Sequence, residues 1–230
     1  MSNYCILNGI YSNELTGLLV SSLPPISKPL MRTQIETIDG RDGDIVTNLG
    51  YSAYDKQMEI GLYGDYDIDE IIAFFASEGT VTFSNEPDKY YHYTIVDQID
   101  FERLIRYRKA TVTFHVQPYK YDYTGTIDAT TFPILVGNAG NVISKPILTI
   151  YGSGDITVSL NSNQIFSIAL GDYEYITIDT NAMEAYMGGV LLNRLVTGDY
   201  ADFSLAVGDN TLSFTGDVSE VLIENYSRWI

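Results

Sequence analysis

What most limits the folds open to this 230-residue chain is the spacing of its apolar residues: short β-branched and aromatic runs, each ended by a turn signal. In the second half such runs fall at residues 147–151, 156–160, 164–170, 175–178, 203–207, 211–214 and 218–225. Gly152-Ser153-Gly154-Asp155, Asn161-Ser162-Asn163 and Gly208-Asp209-Asn210 separate them. Strands at this regular spacing, with no helical period among them, predict a β-sandwich.

The first half mixes strands with a helix. Residues 1–20 hold short apolar bursts broken by Asn8-Gly9 and Gly17, which fits two short strands joined by turns. Residues 23–29 contain Pro24, Pro25 and Pro29, whose missing backbone donors exclude central strand or helix and predict an exposed loop or arm. A strand-like alternation over 34–39 runs into Gly40-Arg41-Asp42-Gly43, read as a tight turn because the phosphate-binding Gly-Lys-Ser/Thr pattern is absent. Between Gly64 and Gly79 the spacing predicts one helix. Asp67 is its N-cap with Glu70 three residues on, Ile68, Ile71, Ile72 and Phe75 recur at helical spacing, and Gly79 is the stop. A calcium loop over the same acids fails, because Glu70 and Ala76 stand where a glycine and a glutamate are required. Strands are expected at 80–83 and 90–96, joined by a turn around Pro87, and the α+β unit is expected to end near Tyr123.

Residues 101–121 hold five of the thirteen lysines and arginines: Arg103, Arg106, Arg108, Lys109 and Lys120. Thr111 to Val116 reads as a strand stopped by Gln117-Pro118, with Val112, Phe114 and Val116 facing the core. The net charge is −17 and is spread over both halves, so the basic residues are read as bridges between acidic surfaces, between subunits or across layers, rather than as a nucleic-acid patch. Nineteen tyrosines suit half-buried strands and contact surfaces.

Catalytic and metal chemistry finds no support. Cys5, the one cysteine, excludes an internal disulfide and is read as buried packing. His92 and His115 both fall in expected strands, and there is no Gly-x-Ser-x-Gly elbow. No enzyme, cofactor or metal is expected. Neither a signal peptide nor a membrane-spanning segment is expected, so folding in a cytoplasm is inferred.

Together the proline-containing loop, Gly40-Arg41-Asp42-Gly43, the capped helix before Val81-Thr82-Phe83, the turn Ser84-Asn85-Glu86-Pro87-Asp88-Lys89, Phe101-Glu102-Arg103 and Val112 to Tyr119 resemble the distal tail (Dit) proteins of long-tailed phages of Gram-positive hosts. The resemblance covers the first half best. It implies a mainly β fold: an α+β N-terminal domain (1–130) with one helix packed on a sheet, and a galectin-like, carbohydrate-module-like β-sandwich (136–230). It implies a structural virion protein of the tail tip, assembled in the host cytoplasm: a hexameric ring through which DNA passes, joining the tail tube protein to the tail-tip hub protein and to a receptor-binding protein. Pro24, Pro25, Arg41, Arg103, Arg106, Arg108 and Lys109 are the candidate inter-subunit contacts. The rival readings are a carbohydrate-binding module at the host surface, for which Trp229 is the sole tryptophan, and another tube or baseplate component.

Overall fold

The computed structural model describes residues 2–122, 125–224 and 226–230. The chain forms two compact units, Met1–Lys120 and Tyr121–Trp229, with Ile230 grouped with the first. Tyr123, expected to end the α+β unit, and Asn225, expected to end a strand, lie outside the described residues.

In the first unit β1 (Cys5–Leu7), β2 (Ile10–Tyr11), β3 (Leu18–Ser22), β6 (Tyr54–Leu62), β7 (Glu78–Phe83), β8 (Lys89–Thr94) and β9 (Lys109–Asp122) form a sheet in the order β2-β1-β7-β8-β9-β6-β3. Alternation along β9 buries Ala110, Val112, Phe114 and Val116, opposite Met58 and Ile60 of β6. Phe83, Tyr93 and Phe114 meet edge-on, with ring centroids 5.6 and 5.2 Å from that of Phe114. Cys5 belongs to this core, as expected. Burial pushes its thiol pKa up to about 12, against opposing hydrogen bonds, so it is not a nucleophile at neutral pH.

Two helices cover the core where one was expected. In α1 (Ile68–Phe74) the Asp67 carboxylate accepts from the Asp69 and Glu70 amides at 2.9 and 3.3 Å, the expected cap. Its buried face is Ile71, Phe74 and Phe75, whereas Ile72 is exposed. Gly79, expected as the helix stop, instead lies in β7 beneath Asn8, which accepts from the Thr80 amide at 2.8 Å. The second helix, α2 (Phe101–Tyr107), is capped by Asp100, which accepts from the Arg103 amide at 2.8 Å. Its two turns bury only Leu104 fully, too short a periodic pattern to stand out in the sequence. β9 runs on through Pro118, which was expected to end it. Its register with β6 stops at Val116, so the missing Pro118 donor costs no ladder bond on that side.

A separate two-stranded hairpin, β4 (Met31–Thr37) with β5 (Asp44–Tyr51), carries the Gly40-Arg41-Asp42-Gly43 turn at its tip. Gly40 and Gly43 have φ of 81° and 79°, as the turn requires.

The second unit is the expected β-sandwich, built by two long strands rather than several short ones. Its elements are β10 (Ile127–Ala129), β11 (Ile134–Asn138), β12 (Ile147–Leu160), β13 (Asn163–Gly171), β14 (Tyr175–Asp179), β15 (Glu184–Met187), β16 (Val190–Leu191), β17 (Val196–Thr197) and β18 (Gly208–Glu224). The start of β12 and the end of β18 lie in the order β10-β18-β12-β14-β15-β16. The other ends of the same two strands pair with β11, β13 and, through β13, β17. Leu148, Ile150, Ile156, Val158 and Leu160 all enter one core, so the bent strands fold the sheet over a common interior.

The bend falls where a turn was expected. Around Gly152 to Asp155 the register slips from Ser153↔Asp217 to Thr157↔Thr215. A Cβ at Gly152 would lie 2.2 Å from the Asp217 carbonyl oxygen and one at Gly216, whose φ is 104°, 2.3 Å from that of Asp155. These glycines let two backbones cross closely instead of reversing the chain. The strand expected over 203–207 is absent too. Phe203 and Leu205 are buried from a loop, which Asn210 holds by accepting from the Ala206 amide at 3.0 Å and donating to its carbonyl at 2.9 Å.

Candidate functional site

The proline segment is anchored to the first unit. Pro24 and Pro29 are buried, while Pro25, Ile26, Ser27, Lys28 and Leu30 are exposed. Asn85 donates to the Pro24 carbonyl at 2.9 Å, and the Lys56 ammonium donates to the Pro25 carbonyl at 2.9 Å. Lys56 shares its face of β6 with Met58, Ile60 and Leu62 and is only 2 % exposed.

Around that ammonium the protein has built a cage. The Tyr91 ring centroid lies 4.9 Å away, and those of Tyr54 and Phe83 lie 5.7 Å away. Glu86 accepts from Tyr91 Oη at 2.8 Å and from Lys120 Nζ at 2.6 Å. Burial brings the Lys56 pKa down from 10.5 to about 8 although the Glu86 charge opposes the fall. For Glu86 burial acts upward, but hydrogen bonds from Lys120 and Tyr91 and the two nearby ammonium charges prevail, holding its carboxyl below the ordinary value. The tyrosine hydroxyl of Tyr91 is held well above its ordinary pKa by burial and by the bond to Glu86. The cluster escaped the sequence reading, although a lysine in the inward register of β6 was its visible sign.

The basic residues of 103–109 have separate fates. Arg106 pairs with Glu102 at 2.8 Å along α2, and Lys109 pairs with Glu59 at 2.9 Å across to β6. Arg108, at φ 57°, ends α2 in the left-handed conformation and lays its guanidinium 5.0 Å from the Tyr66 centroid. Arg103 is exposed, and no side-chain ion pair is found for it among the described residues. Arg103, Arg106 and Lys109, with Asp100, Glu102 and Tyr107, line an open groove of about 700 Å³. Arg41 stands at the hairpin tip, in a different element. The seven candidates therefore occupy three places: the anchored proline segment, the hairpin tip, and the end of α2.

The hairpin itself was not singled out from the sequence. From Arg32 to Gly50 every residue except Ile45 is exposed. Ile35 and Val46 are cross-strand partners on one face, 61 % and 57 % exposed, and Ile38 next to the tip is 47 % exposed. The alternation over 34–39 was visible, but alternation alone does not say whether either face is covered.

Among the described residues no group of three or more His, Cys, Asp or Glu is disposed to hold a metal ion. His115 bonds Asp55 at 2.7 Å. In the described chain no helix is long and apolar enough to cross a membrane.

The family of the phage tail protein RIFT-related domain (Sipho_tail) matches residues 12–116. No curated protein matches the sequence. Among solved structures the chain is similar to the Dit protein (gp 19.1) of phage SPP1, described as a paradigm of the hub adsorption apparatus in phages infecting Gram-positive bacteria. The TM-score is 0.68 and the identity 17 %, with 100 % of both chains covered. It is also similar to a chain of the phage P2 baseplate in its activated conformation with calcium, at TM-score 0.57 and 10 % identity over 100 % of this chain and 99 % of that one. A chain of the phage p2 baseplate with strontium aligns at TM-score 0.53 and 11 % identity, over 97 % of each. Residues 12–116 therefore carry the phage tail protein RIFT-related domain, and the chain has the fold of the SPP1 Dit protein along its whole length.

Proposed function

We propose that this chain is a structural virion protein of the phage tail tip. Copies of it form a hexameric ring that joins the tail tube to the tail-tip hub and to the receptor-binding apparatus, and the protein has no catalytic role. In this reading residues 1–130 close the ring and the galectin-like sandwich of 136–230 faces outward. The observation that carries it is the correspondence with SPP1 Dit over all of both chains, with the RIFT-related match at 12–116 as independent support. An acidic body of net −17 suits a passage for DNA, because like charge keeps the duplex from adhering to the wall. The exposed groove at the end of α2 and the exposed hairpin are the surfaces that assembly would cover.

Mass measurement and negative-stain imaging of the purified chain test this. The expected particle is a ring about six times the 25.7 kDa protomer. A stacked tube would favour a tube component. A monomer that binds cell-surface saccharides on a glycan array would favour the carbohydrate-module reading. Either result overturns the ring.

A further inference from the structure

The β4–β5 hairpin and the α2 groove complement each other. A two-stranded ribbon exposed on nearly all sides is marginal in water and leaves both edges with unpaired backbone groups, so a partner surface is needed to hold it. The hairpin reads Ile38-Asp39-Gly40-Arg41-Asp42-Gly43-Asp44 across its tip, three acids and one base. Behind the tip, Ile35 and Val46 form an exposed apolar pair on the face shared by Asp44. The groove has the opposite character: its lining places Arg103, Arg106 and Lys109 against Asp100 and Glu102, a basic excess in a strongly acidic chain, beside a Tyr107 ring that is 68 % exposed. Arg103 is the cation of that lining without an ion-pair partner among the described residues, and Arg106 is held only by an exposed pair that is easily exchanged.

We propose that the hairpin tip of one copy of this chain seats in the α2 groove of a second copy. Asp39 and Asp42 face Arg103 and Arg106, and the Ile35–Val46 pair lies against Tyr107. The seven residues of β4 extend roughly 23 Å, which makes the hairpin a projecting arm. The contact is heterologous, tip to groove, which is the kind of interface that closes rings. It rests on the ring reading above and adds to it the elements that meet.

The experiment reverses the charges and then restores complementarity, with mass photometry across a concentration series as the readout. The expected results are that R103E/R106E and D39R/D42R each raise the concentration for half-assembly at least about tenfold, and that the quadruple variant, complementary again, recovers most of the loss. All four altered positions are exposed, so far-ultraviolet circular dichroism should stay that of the wild type. Wild-type rings that survive both reversals overturn this contact and leave the ring reading standing. So does loss without recovery in the quadruple variant. A wild-type chain that never assembles overturns the ring reading itself.

Discussion

Replacing Lys56 by methionine should change how stability depends on pH, with a sign and size set by the cage around its ammonium. The side chain is 2 % exposed and its pKa in the folded protein is about 8 against an ordinary 10.5. Folding therefore disfavours the charged form, by roughly 3 kcal/mol where the lysine is charged in both states. Between the two pKa values the unfolded chain binds more protons than the folded one, so stability rises with pH across that window. Integrating from about pH 7 to about pH 9.5, the wild type should gain about 2 kcal/mol relative to Lys56→Met. Tyr54 and Tyr91, both held above their ordinary pKa by burial, titrate beyond this range, and Glu86, whose carboxyl is held below its ordinary value, stays ionised throughout it. Urea unfolding of both proteins at the two pH values, followed by tyrosine fluorescence, measures the difference of differences. A wild-type gain below about 0.5 kcal/mol would mean that Lys56 is solvated in the folded protein, and the cage argument would fail. Near neutral pH methionine should be tolerated, since an apolar side chain of similar volume removes the desolvation cost while giving up the bond to the Pro25 carbonyl.

Two further substitutions probe the fold. Gly216→Ala should destabilise the second unit by about 2–4 kcal/mol, because the new methyl meets the Asp155 carbonyl oxygen at 2.3 Å and φ 104° is strained for alanine; a change in melting temperature under about 2 °C would refute the close crossing of β12 and β18. Asp67→Ala should cost the first unit about 1 kcal/mol by removing the cap of α1, with faster amide exchange at Asp69 and Glu70 as the local signature; unchanged exchange there would show that the cap bonds do not persist in solution.

Local chemistry was legible in the sequence. The Asp67 cap, the Gly40 and Gly43 turn, the buried Cys5 and the inward face of Val112, Phe114 and Val116 all follow from interactions within a few residues or from period-2 alternation, and each is found in the structure. The likeness of the first half to distal tail proteins was recognisable for the same reason, since its motifs are contiguous. Gly152 and Gly216 could not be read correctly, because a glycine that ends a strand and a glycine that lets another backbone cross it look alike until the second strand is in place. The seven residues of α2 could not outweigh the strand signal that follows them. Arg103, Arg106, Arg108 and Lys109 looked like one basic patch, yet the fold sends them to a groove wall, a helical ion pair, a tyrosine face and a cross-strand glutamate. By itself the sequence determined that the chain is mainly strand, where α1 is capped, where the Gly40 to Gly43 hairpin turns, and that the body is acidic, because these depend on neighbours along the chain. Only the tertiary structure decided which charges are buried, which glycines are crossings and which apolar hairpin is left uncovered, because these depend on residues that meet across tens of positions.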